Sequence, residues 1–413
     1  MPKFTSLSLS EAQQKVIEVI TPKSESRFIP TMEAEQSVLA CDIIVKKNLP
    51  SFDNSAMDGF AFKASDKGKK LKVISTVFAG EKDVNCNIQE GECCKIMTGA
   101  KVPVGVDTIA PIENCSDVTD ESVVVPEKIN LGDNLRKKGE ELQEGEVLFH
   151  KGEILTAAHI ALLASQGITT VEVIAPLNIA VVSTGDEIKE PWEEADEDEI
   201  FNANAFGIKS LLKQFGFEAS YIGSIPDDLQ KTIEFISTLN SYDVVITTGG
   251  ISMGDADFLY QAFVANGLES IFHGVNVKPG RPTMMGKMGT TLVMAMPGNP
   301  LTTMLNVFTL SIPTLFKKQG ATNCYHSAFY VKSAKTLKLR SGRDNMVLGS
   351  VKEGLFYPTR DNKIGSGMLS PLVESNAIAY FADNIDGFDE GEYIKVVSLQ
   401  DISRSNTINS VNF

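Results

Sequence analysis

The chain is poor in the residues that most often build metal and redox sites. Its 413 residues include four His, six Cys and one Trp, and no two Cys stand in a C-x-x-C pair. Six Cys in a chain of this length do not make the dense disulfide framework of small secreted domains. The scattered His form no H-E-x-x-H motif. The sequence therefore excludes a disulfide scaffold and argues against a structural zinc site.

Long apolar runs and an excess of basic charge are also missing. No stretch reaches the roughly 18 to 20 apolar residues that a spanning helix needs, and the first residues contain no apolar signal core. The formal net charge is −15, whereas nucleic acids and anionic membranes attract clustered basic charge. We therefore expect a cytoplasmic protein that binds neither nucleic acid nor membrane. An apolar content of 43% allows sizeable cores.

The spacing of apolar runs predicts several domains, and the length corresponds to about two to four. Ser8 and Glu11 fit a capping box before an amphipathic helix. Residues 50–148 alternate short β-type runs with Gly, Pro and Asp, which predicts a small β domain. The tail from about residue 330 is again β-rich, and we expect a small barrel or sandwich there.

Between residue 178 and about residue 320, strand-like and helical segments alternate. One of these helices is predicted over residues 227–239, with Asp227 as its N-cap. Strands separated by helices of this length imply βαβ units and a largely parallel sheet. We expect no internal repeat.

The most informative segment is residues 244–257, VVITTGGISMGDAD. A short apolar strand is followed by a loop that contains Gly249, Gly250 and Gly254. Such a loop lets backbone N–H groups approach an oxyanion closely. Asp255 and Asp257 at its far end suit a divalent cation that accompanies a phosphate.

A second strand ends in a polar turn at residues 183–187, Ser-Thr-Gly-Asp-Glu. Ser183 and Thr184 add hydroxyl groups, and Asp186 and Glu187 add carboxylates. Each loop alone is equally compatible with a tight turn whose acids are solvated. Because ligands of open α/β sheets bind beyond the carboxyl ends of strands, the two loops together favour a crevice for phosphate and Mg²⁺.

Two proline-containing turns complete the candidate site. Lys278 and Arg281 stand in the stiff turn K-P-G-R-P, where a point charge and a planar fork suit an oxyanion. Pro297-Gly298-Asn299-Pro300 precedes a helix whose free N–H groups can face an anion. The alternative for the K-P-G-R-P turn is an ordinary turn between strands. The alternative for the P-G-N-P turn is that Asn299 simply caps the following helix.

A competing interpretation is a serine hydrolase, because residues 250–254 match G-x-S-x-G with Ser252 as nucleophile. The later His of such a triad is limited to His273 and His326. His273 follows Ser252 by only 21 positions, directly before the basic turn, which is an awkward place for a triad base. We therefore rank the phosphate loop above the hydrolase.

Six ordered blocks resemble one known family. PSFDNSAMDGFAF, KIMTGAKVPVGVDTIAP, VVSTGDEI, TTGGISMGDADF, VKPGRPTMMGK and MPGNP occur in the order found in the molybdopterin molybdenumtransferases, which include bacterial MoeA and the gephyrin E domain. The resemblance covers essentially the whole chain. It implies a multi-domain α/β plus β fold: a central three-layer α/β domain with a mostly parallel sheet, an inserted small β domain and a C-terminal β-barrel.

The resemblance also implies domain boundaries and a reaction. The domains would be residues 1–49 with 149–176, 50–148, 177–325 and 326–413. The implied reaction inserts molybdate into adenylylated molybdopterin and releases AMP with Mg²⁺. The protein would be a homodimer with its active site between subunits, and molybdopterin adenylyltransferase would act upstream. A non-catalytic scaffold with the same fold is the remaining alternative.

The family's functional positions transfer to this sequence residue by residue. Those with catalytic roles are Asp58, Thr98, Glu187, Asp228 and Asp257. Those implied to bind the substrate are Ser183, Thr184, Gly249, Gly250, Ser252, Gly254, Lys278, Arg281, Pro297, Pro300, Arg343 and Ser366. The implied Mg²⁺ ligands are Asp257, Glu187 and Asp186.

Four positions depart from the family pattern. Glu141 replaces the usual Asp, Arg281 the commoner Lys, Asn202 a common acid, and Leu348 a second arginine of the barrel. None removes the core set, although Leu348 puts anion binding by the barrel in question.

Overall fold

The computed structural model describes residues 7–81, 84, 86–185, 187–225, 228–251 and 258–399. The chain forms two compact units. Unit 1 comprises Met1–Ala40, Gly152–Ala157 and Thr170–Phe413, and unit 2 comprises Cys41–Lys151 and Ala158–Thr169. Of the helices in the described ranges, none combines the length and hydropathy that crossing a membrane requires.

The helices of the described residues are α1 (Leu9–Val19), α2 (Ala157–Ser165), α3 (Ala203–Gln214), α4 (Leu229–Ser237), α5 (Phe258–Ala265), α6 (Pro300–Asn306), α7 (Ile312–Lys318) and α8 (Ser370–Glu374). The predicted capping box of α1 is confirmed. The amide of Glu11 donates to Ser8 Oγ at 3.2 Å, and the amide of Ser8 donates to Glu11 Oε2 at 2.8 Å.

The predicted N-cap of α4 was wrong. Asp228 has the extended backbone of an N-cap, and its Oδ1 accepts from the amide of Lys231 at 2.9 Å. Asp227 lies outside the described residues. The helix therefore begins after the second of two adjacent aspartates, whose side chain satisfies a free amide of the first turn.

The first strands along the chain are β1 (Ser26–Pro30), β2 (Ile43–Ile44), β3 (Asn54–Ser55), β4 (Gly59–Phe62), β5 (Lys70–Val77), β6 (Glu92–Ile96), β7 (Thr108–Pro111), β8 (Ser122–Val124), β9 (Leu135–Arg136), β10 (Val147–Phe149) and β11 (Thr170–Ile174). Unit 2 contains a sheet in the order β7-β4-β6-β5-β8. Phe60 and Phe62 of β4 enter one apolar core, and Ala61 enters a second core on the other face. This alternation is the period of a strand that is buried on both sides.

The central strands of unit 1 are β12 (Ile179–Thr184), β13 (Ile188–Lys189), β14 (Ile200–Phe201), β15 (Ala219–Ile225), β16 (Val244–Thr248), β17 (Leu268–His273), β18 (Val277–Lys278), β19 (Met284–Met288) and β20 (Thr291–Met296). The sheet has the order β15-β12-β16-β20-β19-β17. The first four strands are mutually parallel. β19 pairs antiparallel with β20, and β17 pairs antiparallel with β19, so only β19 runs against the others. The predicted three-layer, mostly parallel domain is confirmed, since apolar cores cover both faces of the sheet.

The strand order fixes where a ligand would bind in this sheet. After β12 the chain moves outward to β15, and it then returns to the other side of β12 as β16. The connections on either side of the β12–β16 pair therefore run in opposite directions. A crevice opens at such a switch point, beyond the carboxyl ends of the strands.

The C-terminal strands are β21 (Ala328–Ser333), β22 (Leu337–Lys338), β23 (Asp344–Lys352), β24 (Leu355–Pro358), β25 (Ala377–Phe381), β26 (Gly387–Phe388) and β27 (Tyr393–Ser398). Five of them form a closed barrel in the order β23-β24-β21-β27-β25, because β25 pairs back with β23. The predicted barrel is confirmed. β18 also pairs in parallel with β23, with Lys278 opposite Asn345, which brings the basic turn beside Arg343.

Candidate active site

A cavity of about 590 Å³ lies at the switch point of the sheet. We call it the switch-point cavity. Its lining comes from the turns after β12, β16 and β20 and from the start of α3. The polar or glycine positions are Thr184, Gly185, Glu187, Asn202, Asn204, Thr248, Gly249, Gly250, Gly298 and Asn299. Pro297 and Pro300 also line it.

The glycine loop lies directly on the neighbouring strand end. Gly249 has φ of +91°, and a Cβ there would lie 2.6 Å from Thr184 Oγ1. Gly250 has φ of +64°, and its Cβ would lie 2.9 Å from the same oxygen. Any other residue would be strained in conformation and blocked in space. The structure therefore brings Thr184, Gly249 and Gly250 together, while Ser252, Gly254, Asp255 and Asp257 lie outside the described residues.

Glu187 stands exposed at the mouth of the switch-point cavity. Its carboxylate folds back over Gly185, where a Cβ would lie 2.6 Å from Glu187 Oε2. Asp186 lies outside the described residues. Among the residues that the structure describes, no three His, Cys, Asp or Glu side chains group as a preformed metal site.

Ser183 is placed behind the switch-point cavity rather than in its lining. It is fully buried, and its Oγ accepts from Asn202 Nδ2 at 2.9 Å. Asn202 Nδ2 also donates to the hydroxyl of Tyr221 at 2.9 Å, and that hydroxyl donates to Glu190. Burial, together with Glu190, raises the pKa of Tyr221 to about 12. This network fixes the strand end and the N-terminus of α3, so Ser183 supports the cavity from behind.

A second cavity of about 360 Å³ holds the cationic residues. We call it the cationic cavity. Lys278, Arg281 and Arg343 line it with exposed side chains, and Ser366 lies beside them. Three residues, Pro282, Pro297 and Asn299, line both cavities. The two cavities therefore adjoin across the P-G-N-P turn.

One buried asparagine supports the basic turn between Lys278 and Pro282. Asn306 is fully buried, and its Nδ2 donates to the carbonyl of Gly280 at 3.0 Å and to Thr283 Oγ1. A Cβ on Gly280, whose φ is +128°, would lie 2.4 Å from Asn306 Oδ1. The turn is therefore supported from below at its glycine, and its two cationic side chains remain exposed.

The P-G-N-P turn is anchored through the carbonyl of Pro297, which accepts hydrogen bonds from Thr303 Oγ1 and from Thr248 Oγ1. Asn299 occupies the N-cap of α6, but its side chain makes no capping hydrogen bond. The alternative that Asn299 simply caps the helix is therefore incomplete, because this side chain lines both cavities instead.

Leu348 lies on β23, is buried, and lines the cationic cavity. An arginine at this position would add a third guanidinium to Arg281 and Arg343. The cavity in this chain therefore has an apolar wall where the family resemblance led us to expect a second arginine of the barrel.

Asp58 and Thr98 form a pair within unit 2. The amide of Thr98 donates to Asp58 Oδ1 at 2.7 Å, and its hydroxyl donates to the same oxygen at 2.8 Å. These bonds, led by that from the amide, lower the pKa of Asp58. The carboxylate is therefore ionised and exposed, with one oxygen fixed.

The structure does not bring Asp228 into either cavity. Its side chain is exposed and caps α4, so its observed role is to begin that helix. The two histidines available to a hydrolase triad are also occupied. His326 stacks on Phe308 at 4.1 Å and lies 2.7 Å from that residue's carbonyl, and His273 is buried against Tyr260.

Comparison with known proteins matches most of the chain to one family. Residues 7–167 match the model of the MoeA N-terminal region, domains I and II. Residues 180–317 match a model described as a probable molybdopterin binding domain, and residues 330–399 match the MoeA C-terminal region, domain IV. The chain is 30% identical over 401 residues to the molybdopterin molybdenumtransferase of Haemophilus influenzae, which covers 94% of this chain and 98% of that protein.

The chain belongs to the MoeA family. A molybdopterin molybdenumtransferase of Synechococcus elongatus is 31% identical over 90% of this chain and 94% of its own length. The crystal structure of a molybdopterin biosynthesis MoeA protein from Pyrococcus horikoshii superposes with a TM-score of 0.81 at 27% identity, covering 95% of this chain and all of that one.

Membership of the MoeA family decides between the interpretations of the sequence. None of the relatives reported above carries the name of a hydrolase or a scaffold protein, so these alternatives gain no support. Sequence reasoning missed Asn204 and Asn345, which line the switch-point and cationic cavities respectively. A signal existed for Asn204, since the pair of asparagines at 202 and 204 opens a helix at the carboxyl edge of the sheet.

Proposed function

We propose that this chain inserts molybdenum from molybdate into adenylylated molybdopterin and releases AMP. As a MoeA family member it is a transferase of molybdenum cofactor biosynthesis, with molybdopterin and molybdate as substrates. The observation that carries the finer proposal is the contact between the switch-point cavity and the cationic cavity across Pro297 and Asn299. One substrate can reach both.

The switch-point cavity suits the phosphates of the substrate. The Gly249–Gly250 backbone approaches Thr184 too closely for any side chain, so only main chain meets a ligand there. The turn at Pro297 precedes the N-terminus of α6, where free amides and the helix dipole favour an anion.

The cationic cavity suits molybdate, which is a compact dianion. Lys278, Arg281 and Arg343 offer ammonium and guanidinium donors, and Ser366 offers a hydroxyl. Because this part of a protein with net charge −15 gathers three cations, it gives an anion a local site that the whole surface does not. The sulfurs that receive molybdenum belong to the pterin, so no Cys or His is needed.

The carboxylate of Glu187 beside the switch-point cavity suits Mg²⁺. This ion is usually bound by one or two carboxylates together with water and substrate phosphates. Glu187 supplies such a carboxylate beside the glycine loop, and we propose Asp186 and Asp257 as further ligands. When bound, Mg²⁺ would neutralise charge on the phosphate as the phosphoanhydride bond breaks.

The proposal extends to the assembly and to the remaining predicted residues. We propose a cytoplasmic homodimer in which Asp58 and Thr98 of one subunit complete the site of the other. We also propose a catalytic role for Asp228, whose exposed carboxylate lies outside both cavities, substrate binding by Ser252, and molybdopterin adenylyltransferase as the upstream enzyme. The family resemblance is also the ground on which we propose the four-domain division, with boundaries at residues 50, 149, 177 and 326.

Turnover of purified protein tests the function. Adenylylated molybdopterin, molybdate and MgCl₂ are incubated with the protein, AMP is followed by chromatography, and active cofactor is followed by activation of an apo-molybdoenzyme. We expect both products together. Glu187→Gln should slow AMP release about tenfold or more, because the neutral amide binds Mg²⁺ poorly.

The control is Glu197→Gln, which removes a carboxylate from the exposed loop outside both cavities, and it should turn over normally. A chelator should stop AMP release from wild-type protein. Absence of both products with wild-type protein would refute the function. Normal rates for Glu187→Gln would refute only the metal assignment.

A further inference from the structure

Asn204 stands in the first turn of α3 and lines the switch-point cavity, yet the family resemblance assigned it no role. Its side chain is 9% exposed, so it is almost completely buried at the inner wall of the cavity. A buried polar side chain in such a place normally has all its hydrogen bonds made.

The amide nitrogen of Asn204 is fully used. It donates to Thr248 Oγ1 at 2.7 Å and to the carbonyl of Gly298 at 2.8 Å. A main-chain carbonyl accepts but never donates, so the Gly298 contact fixes which end of the amide carries nitrogen. The oxygen Oδ1 is buried, and within the part of the chain that the structure describes it has no hydrogen-bond partner. The wall of the switch-point cavity therefore contains an unsatisfied acceptor, which the two hydrogen bonds of the same amide hold in place.

An acceptor at this point selects the chemistry of its ligand. Molybdate and the ionised phosphate oxygens of the substrate are themselves acceptors, so Asn204 Oδ1 would repel them. A group of the substrate that satisfies it must carry a polar hydrogen. In adenylylated molybdopterin these groups are the exocyclic amino groups and ring N–H of the two heterocycles and the ribose hydroxyls.

The wall beside Asn204 favours a ring over a sugar. Ile200 and Phe201 of β14 line the same cavity, and both side chains are more than half exposed. Exposed apolar groups in a ligand cavity favour an aromatic ring, which can stack on Phe201. A ribose would leave this apolar surface in contact with polar hydroxyls.

We propose that Asn204 determines substrate specificity by accepting a hydrogen bond from the exocyclic amino group of a heteroaromatic ring that packs against Phe201. The ring is the pterin or the adenine of the substrate, and the inference rests on the proposed function. Asn204 thus holds one end of the substrate, while the glycine loop holds the phosphates.

Binding of matched probe pairs to the full chain tests this inference and separates the two rings. The first pair is pterin-6-carboxylate and lumazine-6-carboxylate, in which an oxo group replaces the amino group. The second pair is AMP and purine riboside 5′-monophosphate, which lacks the amino group and keeps the ribose. Dissociation constants are measured by calorimetry for the wild type, Asn204→Ala and Thr248→Val.

The wild type should bind the amino member of one pair about tenfold more tightly than its partner, the usual effect of one hydrogen bond to a buried acceptor. Asn204→Ala should abolish that preference. Thr248→Val removes a hydroxyl that accepts from the Asn204 amide but leaves Oδ1, and it should keep the preference. The pair that discriminates identifies the ring.

Three results overturn the inference. They are a wild type without preference or binding in either pair, a preference that survives in Asn204→Ala, and a preference lost equally in Thr248→Val, which would mean a structural role. The assay needs no turnover. An inactive protein that still discriminates refutes the proposed reaction alone, and an active protein that does not discriminate refutes this inference alone.

Discussion

At the scale of one residue, His326 was a candidate base for the hydrolase interpretation, but its packing gives it a structural role. Its ring lies parallel to Phe308 at 4.1 Å, and its Nε2–H donates to the Phe308 carbonyl at 2.7 Å. Burial lowers the pKa of His326 from 6.5, and the hydrogen bond opposes this only in part. The folded protein therefore keeps this ring neutral at a pH where the unfolded chain would protonate it.

This difference predicts a pH dependence of stability. Below pH 6.5 the unfolded state binds a proton that the folded state does not, so the free energy of unfolding falls until the pH passes the lower folded pKa. His326→Phe keeps an aromatic ring and removes the titration. It should cost about 0.5–1.5 kcal/mol at pH 8 through the lost hydrogen bond.

Urea unfolding followed by circular dichroism at pH 8 and pH 5.5 checks this prediction. The stability advantage of the wild type over His326→Phe should shrink at the lower pH. The comparison isolates this group, because His273, whose pKa burial also lowers, is present in both proteins. An advantage that is the same at both pH values would contradict the account.

Some single-residue features could not be predicted from the sequence. Asp227 and Asp228 are chemically identical and adjacent, and only the backbone at Asp228, with φ of −135° and ψ of 121°, decides which one caps α4. The unpaired oxygen of Asn204 likewise depends on Gly298, which lies 94 positions away. Composition and spacing carry no information on either point.

At the scale of elements, the turn from Lys278 to Pro282 gives the sharpest prediction. Gly280→Ala places a methyl group 2.4 Å from Asn306 Oδ1 at a φ of +128°, so the turn must move. The strain should cost about 1–3 kcal/mol of stability. Because Lys278 and Arg281 move with the turn, the molybdate concentration for half-maximal turnover should rise about tenfold.

Gly289→Ala is the matched control. Gly289 also has a positive φ, +60°, but no heavy atom lies within 4 Å of its Cβ position, and it lines neither cavity. It should lose some stability and keep the molybdate dependence. If Gly280→Ala also kept a normal dependence, the turn would not position the anion.

The type of most elements followed from the sequence, but two features of unit 1 did not. The segment that forms α5 and β17 has no clear helical or strand period, so this part of the sheet was not predicted. The helix predicted after the P-G-N-P turn is interrupted by a π-helix at Val307–Ser311. Pro313 lies two residues beyond the π-helix and has no N–H, so it cannot donate the hydrogen bond that a regular helix would have there.

At the scale of the whole molecule, the account depends on the packing of the barrel beside the sheet within unit 1. The loops that line the predicted crevice follow strands of one parallel sheet. Their meeting at the same edge of that sheet could therefore be predicted from the sequence. The approach of Arg343 to Lys278 was not foreseeable from physics, because it requires the parallel pairing of β18 with β23 across 67 positions. Only the family resemblance pointed to Arg343.

The central claim is that the switch-point cavity and the cationic cavity serve one reaction. The most direct test measures AMP release as a function of molybdate concentration. Lys278→Gln with Arg281→Gln should require about tenfold more molybdate or higher, because two charged donors are lost. Lys338→Gln with Lys352→Gln removes two exposed charges outside both cavities and should match the wild type. AMP release that ignores molybdate, or a normal dependence without both cations, would contradict the claim.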